Sequence, residues 1–475
     1  MVRPSFRDPA GCTWVGPDVV HRAAWEDSPG TPEAQAALET LLRQFQAEGK
    51  WIAAKPIDPS TLPAYLQGEC PLPKRAWEHP RIFFPSYAHE WSPGMVHCAA
   101  ALTLELNKRL LEIGWELKDA TPSNILFEGP NPIFVDHLSP APRKPGQMGW
   151  TAYGQFIRTF IIPLCLNRLN GMPVSWLYLA RRDGLPPEDA IHQLTFFNLL
   201  RPTVVALITF PAFMSRFQST TPMQGLRLWK TADESIGIEI TTGLIRGLQK
   251  RLLWVEPTFI RSTLWSNYDH SGESYSSGQL DAKVAFIQEA LEISHPGTVL
   301  DLGCNTGRYS RMAARLGSSV VAIDSDEVCI NKLWLQARSE HLNINPLVMD
   351  LGRPTPAIGW MNDEQTQFTD RGRGRFDMVL GLALIHHLLV RERIPLNSII
   401  SYLSKLTTKW AIIEWVGAED KQFIRLAGPN AHYYSAITEH SFEASISELF
   451  SINRSTRVPH SGRVLYLLKK RTSDC

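Results

Sequence analysis

From Lys283 onward the sequence changes its period. Short runs rich in β-branched and apolar residues, at 299–302, 320–323, 347–349, 376–380 and 411–415, are mostly separated by segments with helical spacing. Strands alternating with helices predict a parallel sheet covered on both faces. In an open parallel sheet, ligands bind outside the carboxyl ends of the strands. Functional residues are therefore expected where these runs end.

The first run ends in VLDLGCNTG, residues 299–307, ahead of a helical stretch at 308–316. Gly303 and Gly307 allow the backbone to approach a ligand closely. Their G-x-x-x-G spacing differs from the G-x-G-x-x-G turn that wraps amides around a pyrophosphate. Asp301, two residues before the first glycine, suits a ligand with a cationic end and no phosphate, as S-adenosylmethionine (SAM) has. The second run ends in Asp324, placed to accept both ribose hydroxyls or to cap the next helix. The third ends in Asp350, placed for an adenine amino group. The fourth opens on Phe376-Asp377 and runs into Gly381; Asp377, at the far end of its strand, reads as structural.

Together these parts resemble the class I SAM-dependent methyltransferases, over about residues 283–470. The resemblance implies a Rossmann-like α/β sheet, mostly parallel with an antiparallel last strand. Runs 450–457 and 463–468 suit its closing strand pair. It implies SAM as cofactor, held by Asp301, Gly303, Cys304, Asn305, Gly307, Asp324, Asp350 and Gly381. The rival reading is a similar sheet that binds another nucleotide, such as NAD. By the same analogy GLALIHHLLV, residues 381–390, lies beside the methyl group. Methyl transfer is an in-line displacement in which positioning supplies much of the rate. A base is needed only when the acceptor carries a proton. His386 and His387 are the catalytic candidates near neutral pH, the alternative being a packed helix start. Glu414 is expected as a solvated carboxylate on the pocket rim.

The front half reads as two regions. Residues 1–95 form a small α+β region with strand-like runs at 12–15, 19–25 and 81–87 and a helix over 31–47; residues 96–262 are helix-rich. A polar linker at 263–282, carrying Tyr268 and Tyr275, precedes the domain at 283–475. The expected core has two domains joined near residues 260–282. LKDATPSNILFEGPNPIFVDHLS, residues 117–139, resembles the catalytic and metal-binding loops of the protein-kinase and aminoglycoside-phosphotransferase fold. The resemblance implies an α+β kinase-like domain. In that fold the residue matching Asp119 accepts a hydroxyl proton, while those matching Asn124 and Asp136 hold magnesium. Leu117 stands where kinases have His, no glycine-rich phosphate loop is present, and neither Lys50 nor Lys55 is assigned as the phosphate-binding lysine. The expectation is a lobe that keeps the loop geometry without transferring phosphate; the plainer reading is a turn at Asp119 and Asn124.

WSPGM, GWELKDATPSNILF, NPIFVDHLS, Trp150 to Phe156 and IEWVGAEDKQFIRL extend the resemblance over nearly the whole chain. They resemble a bacterial group of class I methyltransferases that includes host-specific nodulation proteins. The group implies SAM-dependent methylation in the bacterial cytoplasm, with a small-molecule or glycan-type acceptor. The alternatives are a kinase-like binding module whose SAM site is sensory, and an active phosphotransferase fused to a methyltransferase.

Bulk properties narrow the partners. A net charge of +1 over 475 residues implies no surface built for nucleic acid. Seven cysteines, an odd number with no Cys-x-x-Cys pair or Cys/His spacing, read as reduced thiols without a metal site. The N-terminus has no apolar segment of the signal-peptide kind. The longest apolar run, 202–215, is too short to span a bilayer and carries Pro202 and Pro211, so it is expected as a buried helix. No pattern specifies an oligomer.

Overall fold

The computed structural model describes residues 7–62, 73–215, 234–257, 263 and 277–471. Tyr268 and Tyr275 of the expected linker lie outside these residues. The chain divides into two compact units, Met1–Thr258 and Phe259–Cys475.

The first unit opens with four antiparallel strands in the order β1-β2-β4-β3. These are β1 (Gly11–Val15), β2 (Val19–Ala24), β3 (Lys55–Ile57) and β4 (Arg75–Pro80). The helix Pro32–Ala47 starts as its sequence dictates: Thr31 accepts the Ala34 amide at 3.3 Å and proline fills the first turn. Its Phe45 stacks on Trp51, which stacks on Phe134. The run 81–87 forms a loop where a strand was expected. Pro80 ends β4 and Pro85 removes a further donor; buried Phe84 packs inward, and Arg81 donates to the Gly16 and Pro17 carbonyls at 2.9 and 2.8 Å.

The helix Pro93–Leu111 is capped by Ser92 and buried along most of its length. Asn107 from this helix accepts the Leu117 amide at 2.8 Å, which pins β5 (Trp115–Leu117). The neighbouring Glu116 and Arg143 form a buried ion pair at 2.7 Å, and Gln147, Thr151 and Thr241 satisfy its remaining groups. Strands β6 (Ile125–Glu128) and β7 (Asn131–Phe134) make a hairpin, and β8 (Pro140–Pro142) pairs with β5.

The run 202–215 is helical, with a π-helical turn at Val205–Thr209, but it is not buried. Val204, Leu207, Ile208 and Ala212 face the core, while Val205, Phe210, Phe213 and Met214 are exposed. Its apolar residues encircle the helix, and among the described residues none covers its outer side.

In the second unit seven strands follow the order β11-β10-β9-β12-β13-β15-β14. They are β9 (Thr298–Leu302), β10 (Ser319–Asp324), β11 (Ile344–Val348), β12 (Phe376–Gly381), β13 (Thr407–Val416), β14 (Phe450–Arg457) and β15 (Arg463–Lys470). The first five pair in parallel, whereas β15 is antiparallel to both its neighbours. The expected sheet, including its closing pair, is present. The helix Ser277–Ser294 begins inside the segment read as a linker. Gly278 and Asp281 are polar or small because they lie on its exposed side.

Candidate active site

The chain lays β9, β10 and β11 in one direction, then returns to place β12 on the other side of β9. That reversal opens a crevice at the carboxyl ends of β9 and β12, the usual ligand position in such sheets. Leu380 pairs with Asp301, so Gly381 follows level with Leu302, one residue before Gly303.

Three residues of the turn after β9 take left-handed backbone angles: Gly303 (φ +72°), Asn305 (+52°) and Gly307 (+78°). All five of its amides are satisfied internally. Gly303 and Cys304 donate to Ile323, Gly307 donates to Cys304, Thr306 donates to Asn305 Oδ1, and Asn305 donates to Asp324 at 2.8 Å. No amide of this turn is left for a pyrophosphate.

Asp324 accepts from the Asn305 and Asp326 amides, one at each oxygen. The Ser325 backbone also hydrogen-bonds to it, and the four lone-pair sites of a carboxylate leave room for a further donor such as a hydroxyl. Burial pushes this carboxyl above its usual range, and the backbone hydrogen bonds oppose the shift.

The two glycines have different reasons to be glycine. Among the described residues a Cβ on exposed Gly303 would meet only Leu384, at 3.4 Å, in the segment after β12. A Cβ on Gly307 would lie 2.2 Å from Leu333, so this glycine serves the packing of the helix Glu327–Ser339. Asp301 points inward. It is 2% exposed and accepts from Ser310 Oγ at 2.5 Å, tying β9 to the helix Arg308–Arg315. Burial pushes its carboxyl up to about 6. Cys304 is buried and its thiol is pushed well up, chiefly by that burial. Asp350 closes the turn after β11 by accepting from Gly352 at 2.9 Å, and it pairs with Arg353 at 3.0 Å. Asp377, at the start of β12, accepts from the Gly297 amide and pairs with Lys409.

The helix Ile385–Val390 carries both histidines. Their rings lie 4.3 Å apart. His386 is 4% exposed and its Nδ1 has no hydrogen-bond partner. Burial, then the charges of His387 and Arg463, holds its pKa down at about 3. His387 is only partly buried, and its pKa is lowered by burial and by Arg391.

Glu414 is not on a rim. It is 0% exposed, 2.6 Å from Lys283 Nζ and 3.5 Å from Arg463, which also pairs with Asp420 at 2.8 Å. Lys283 went unnoticed in the sequence, although a signal was present. At helical spacing it shares a stripe with Phe286, Ile287, Ala290 and Leu291, all buried. A lysine on such a stripe requires a buried partner.

A family model described as "Methyltransferase domain" matches residues 274–445, which include the turn, both flanking acids and the two histidines. The chain carries a methyltransferase domain of the SAM-dependent kind over these residues. The methyltransferase is 28% identical over 470 residues to nodulation protein NoeA of Rhizobium meliloti (strain 1021), covering 99% of this chain and 96% of that protein. It is 27% identical over 237 residues to the mitochondrial ubiquinone biosynthesis O-methyltransferase of Arabidopsis thaliana, covering 47% of this chain and 63% of that one. Among solved structures, the N-methyltransferase NodS of Bradyrhizobium japonicum WM9 aligns with a TM-score of 0.31 at 12% identity, over 42% of this chain and 99% of that one. The cofactor of the methyltransferase is SAM, and the site's chemistry fits it: an exposed glycine backbone, a hydroxyl-accepting carboxylate and a turn with no amide to spare for phosphate. Among the described residues no helix is long and apolar enough to cross a membrane.

In the first unit Asp119, Asn124 and Asp136 come together. Asn124 donates to the Asp119 carbonyl at 3.5 Å, and Gln155 donates to the Asp119 carboxylate at 3.4 Å. Burial, with Asp136 nearby, pushes the Asp119 carboxyl up. Asp136 is already paired: Arg22 of β2 donates to its carboxylate. Lys50 is tied to Glu48 and Glu105, and Lys55 lies exposed on β3. Among the described residues no His, Cys, Asp and Glu group is arranged to hold a metal ion.

Proposed function

We propose that this methyltransferase acts on a hydroxyl of a small-molecule or glycan-type metabolite, with Gly303, Asp324 and Gly381 among the residues that hold SAM. The observation that carries the reading is the convergence, at one sheet reversal, of the open Gly303 backbone with the segment that leads to His387. When bound, SAM supplies an electrophilic methyl group on a cationic sulfur. The chain's tasks are to orient the acceptor and take its proton. His387 is the group for the proton, because an imidazole held near 3, as in His386, is too weak a base. Hydroxyl chemistry is supported by the Arabidopsis relative, an O-methyltransferase. Cells fed methyl-labelled methionine test this. A labelled metabolite should vanish when the protein is removed. It should fall on the order of a hundredfold with His387→Ala while S-adenosylhomocysteine binding persists. An unchanged labelling profile with intact cofactor binding would replace the enzyme by a SAM-sensing module.

We infer that the first unit does not transfer phosphate. Arg22 already neutralises the carboxylate that would take a magnesium ion, and the unit is proposed as a kinase-like binding module. ATP with magnesium is expected to leave the thermal transition of the protein where it was. Stabilisation that disappears in Asp136→Ala, or phosphate release that depends on Asp119, would show the opposite.

A further inference from the structure

We propose that Tyr434 is a specificity-determining residue of the methyltransferase, and that it selects an acceptor whose hydroxyl is carried on a ring. The inference rests on the reading of His387 as the group that takes the acceptor's proton. β13 runs parallel to β12, with Ile413 level with Gly381, so both strands end on the crevice side of the sheet. Gly303 and Asp324 lie at the ends of β9 and β10, which leaves the side of β12 and β13 to the acceptor.

The chain leaves β13 for the helix Lys421–Ala427, which a tighter 3-10 turn follows over Gly428–Tyr434. This segment is pinned to the sheet. Asp420 caps the helix by accepting the Gln422 amide at 2.8 Å, and the same carboxylate accepts from Arg463 Nε of β15 at 2.8 Å. Gly428, at φ +53°, ends the helix, and the turn brings Tyr434 back against Phe423.

Four rings then form one row. Phe423 lies 6.5 Å from His386, which lies 4.3 Å from His387. At the other end Tyr434 lies 5.7 Å from Phe423, at 76° to it. His386 and Phe423 in the middle are buried, while His387 and Tyr434 at the ends are partly exposed. A partly exposed ring braced by a buried one presents a flat surface at little cost in entropy. A sugar or aryl ring matches that surface face to face, whereas an open-chain acceptor does not. The row links the surface to His387, so a ring seated on Tyr434 carries its hydroxyl on the side of the base.

The test incubates the full-length protein with methyl-labelled SAM and a small-molecule extract of cells that lack it. Labelled product is followed as the amount of extract rises. Tyr434→Ala is expected to need about tenfold more extract for its half-maximal rate. Tyr434→Leu, which keeps apolar bulk without a flat ring, should behave alike. Tyr434→Phe keeps the ring and should stay within about threefold of the unaltered protein. S-adenosylhomocysteine binding and the melting temperature should be retained in all three. Ultraviolet absorbance of the labelled product separates an aryl ring from a sugar ring, and an open-chain product overturns the proposal. Unchanged dependence on extract in Tyr434→Ala overturns it too. If that result comes with loss of product in His387→Ala, only this inference falls. Full activity of His387→Ala, or no labelled product from the unaltered protein, removes the reading beneath it and the inference together.

Discussion

Replacing Glu414 by alanine is expected to destabilise the second unit by about 3–5 kcal/mol, the usual cost of stripping one partner from a buried ion pair. Glu414 and Lys283 are 0% and 4% exposed, so neither charge can turn to water. Removing the carboxylate takes from the buried Lys283 ammonium its partner at 2.6 Å and leaves Arg463 with Asp420. The pair joins the helix Ser277–Ser294 to β13, so the loss spreads to the sheet's central packing. Glu414→Gln, which keeps an acceptor oxygen for Lys283, should cost less. Replacing both partners by apolar residues of similar volume, Lys283→Met with Glu414→Leu, should recover much of the loss. Urea unfolding followed by circular dichroism reads the shift. A change below about 1 kcal/mol for Glu414→Ala would mean that the pair is solvated and contributes little.

Asp324→Ala is expected to weaken S-adenosylhomocysteine binding on the order of a hundredfold. The carboxylate has two duties. It holds the Asn305 amide, which sets the shape of the turn, and on the proposed reading it also accepts from the ribose. Both are lost in the alanine variant. Asp324→Asn keeps one oxygen and should fall between the two. Calorimetric titration measures this, with a circular dichroism melt to confirm folding. NADH should give no heat at concentrations where S-adenosylhomocysteine saturates, because the turn has no amide for a pyrophosphate. Unchanged affinity in a folded Asp324→Ala protein would remove this residue from the cofactor site. Binding of NADH would restore the dinucleotide reading.

Much of the second unit was legible because its signals are local. Short apolar runs alternating with helical spacing specify a parallel sheet wherever their neighbours lie. Glycines at 303 and 307 and acids at 301, 324 and 350 can be read from the ends of those runs. What each residue faces is another matter. Gly307 and Gly303 look alike in sequence, yet one is packed on Leu333 and the other is open. Asp301 and Asp324 each close a strand, yet only Asp324 remains within reach of a hydroxyl, because Ser310 draws Asp301 into the core. Glu414 sits in a run buried on both faces, and its partner Lys283 is 131 residues earlier. The pairing of Arg22 with Asp136 spans 114 residues and joins a strand to a loop. Periodicity and turn chemistry act over a few neighbours, so the sequence by itself determined the strands, the sheet class and the glycine turn. Burial and charge pairing depend on segments far apart in the chain. Only the tertiary structure decided which acids are tethers, which histidine is buried, and which side of the helical stretch 202–215 faces the core.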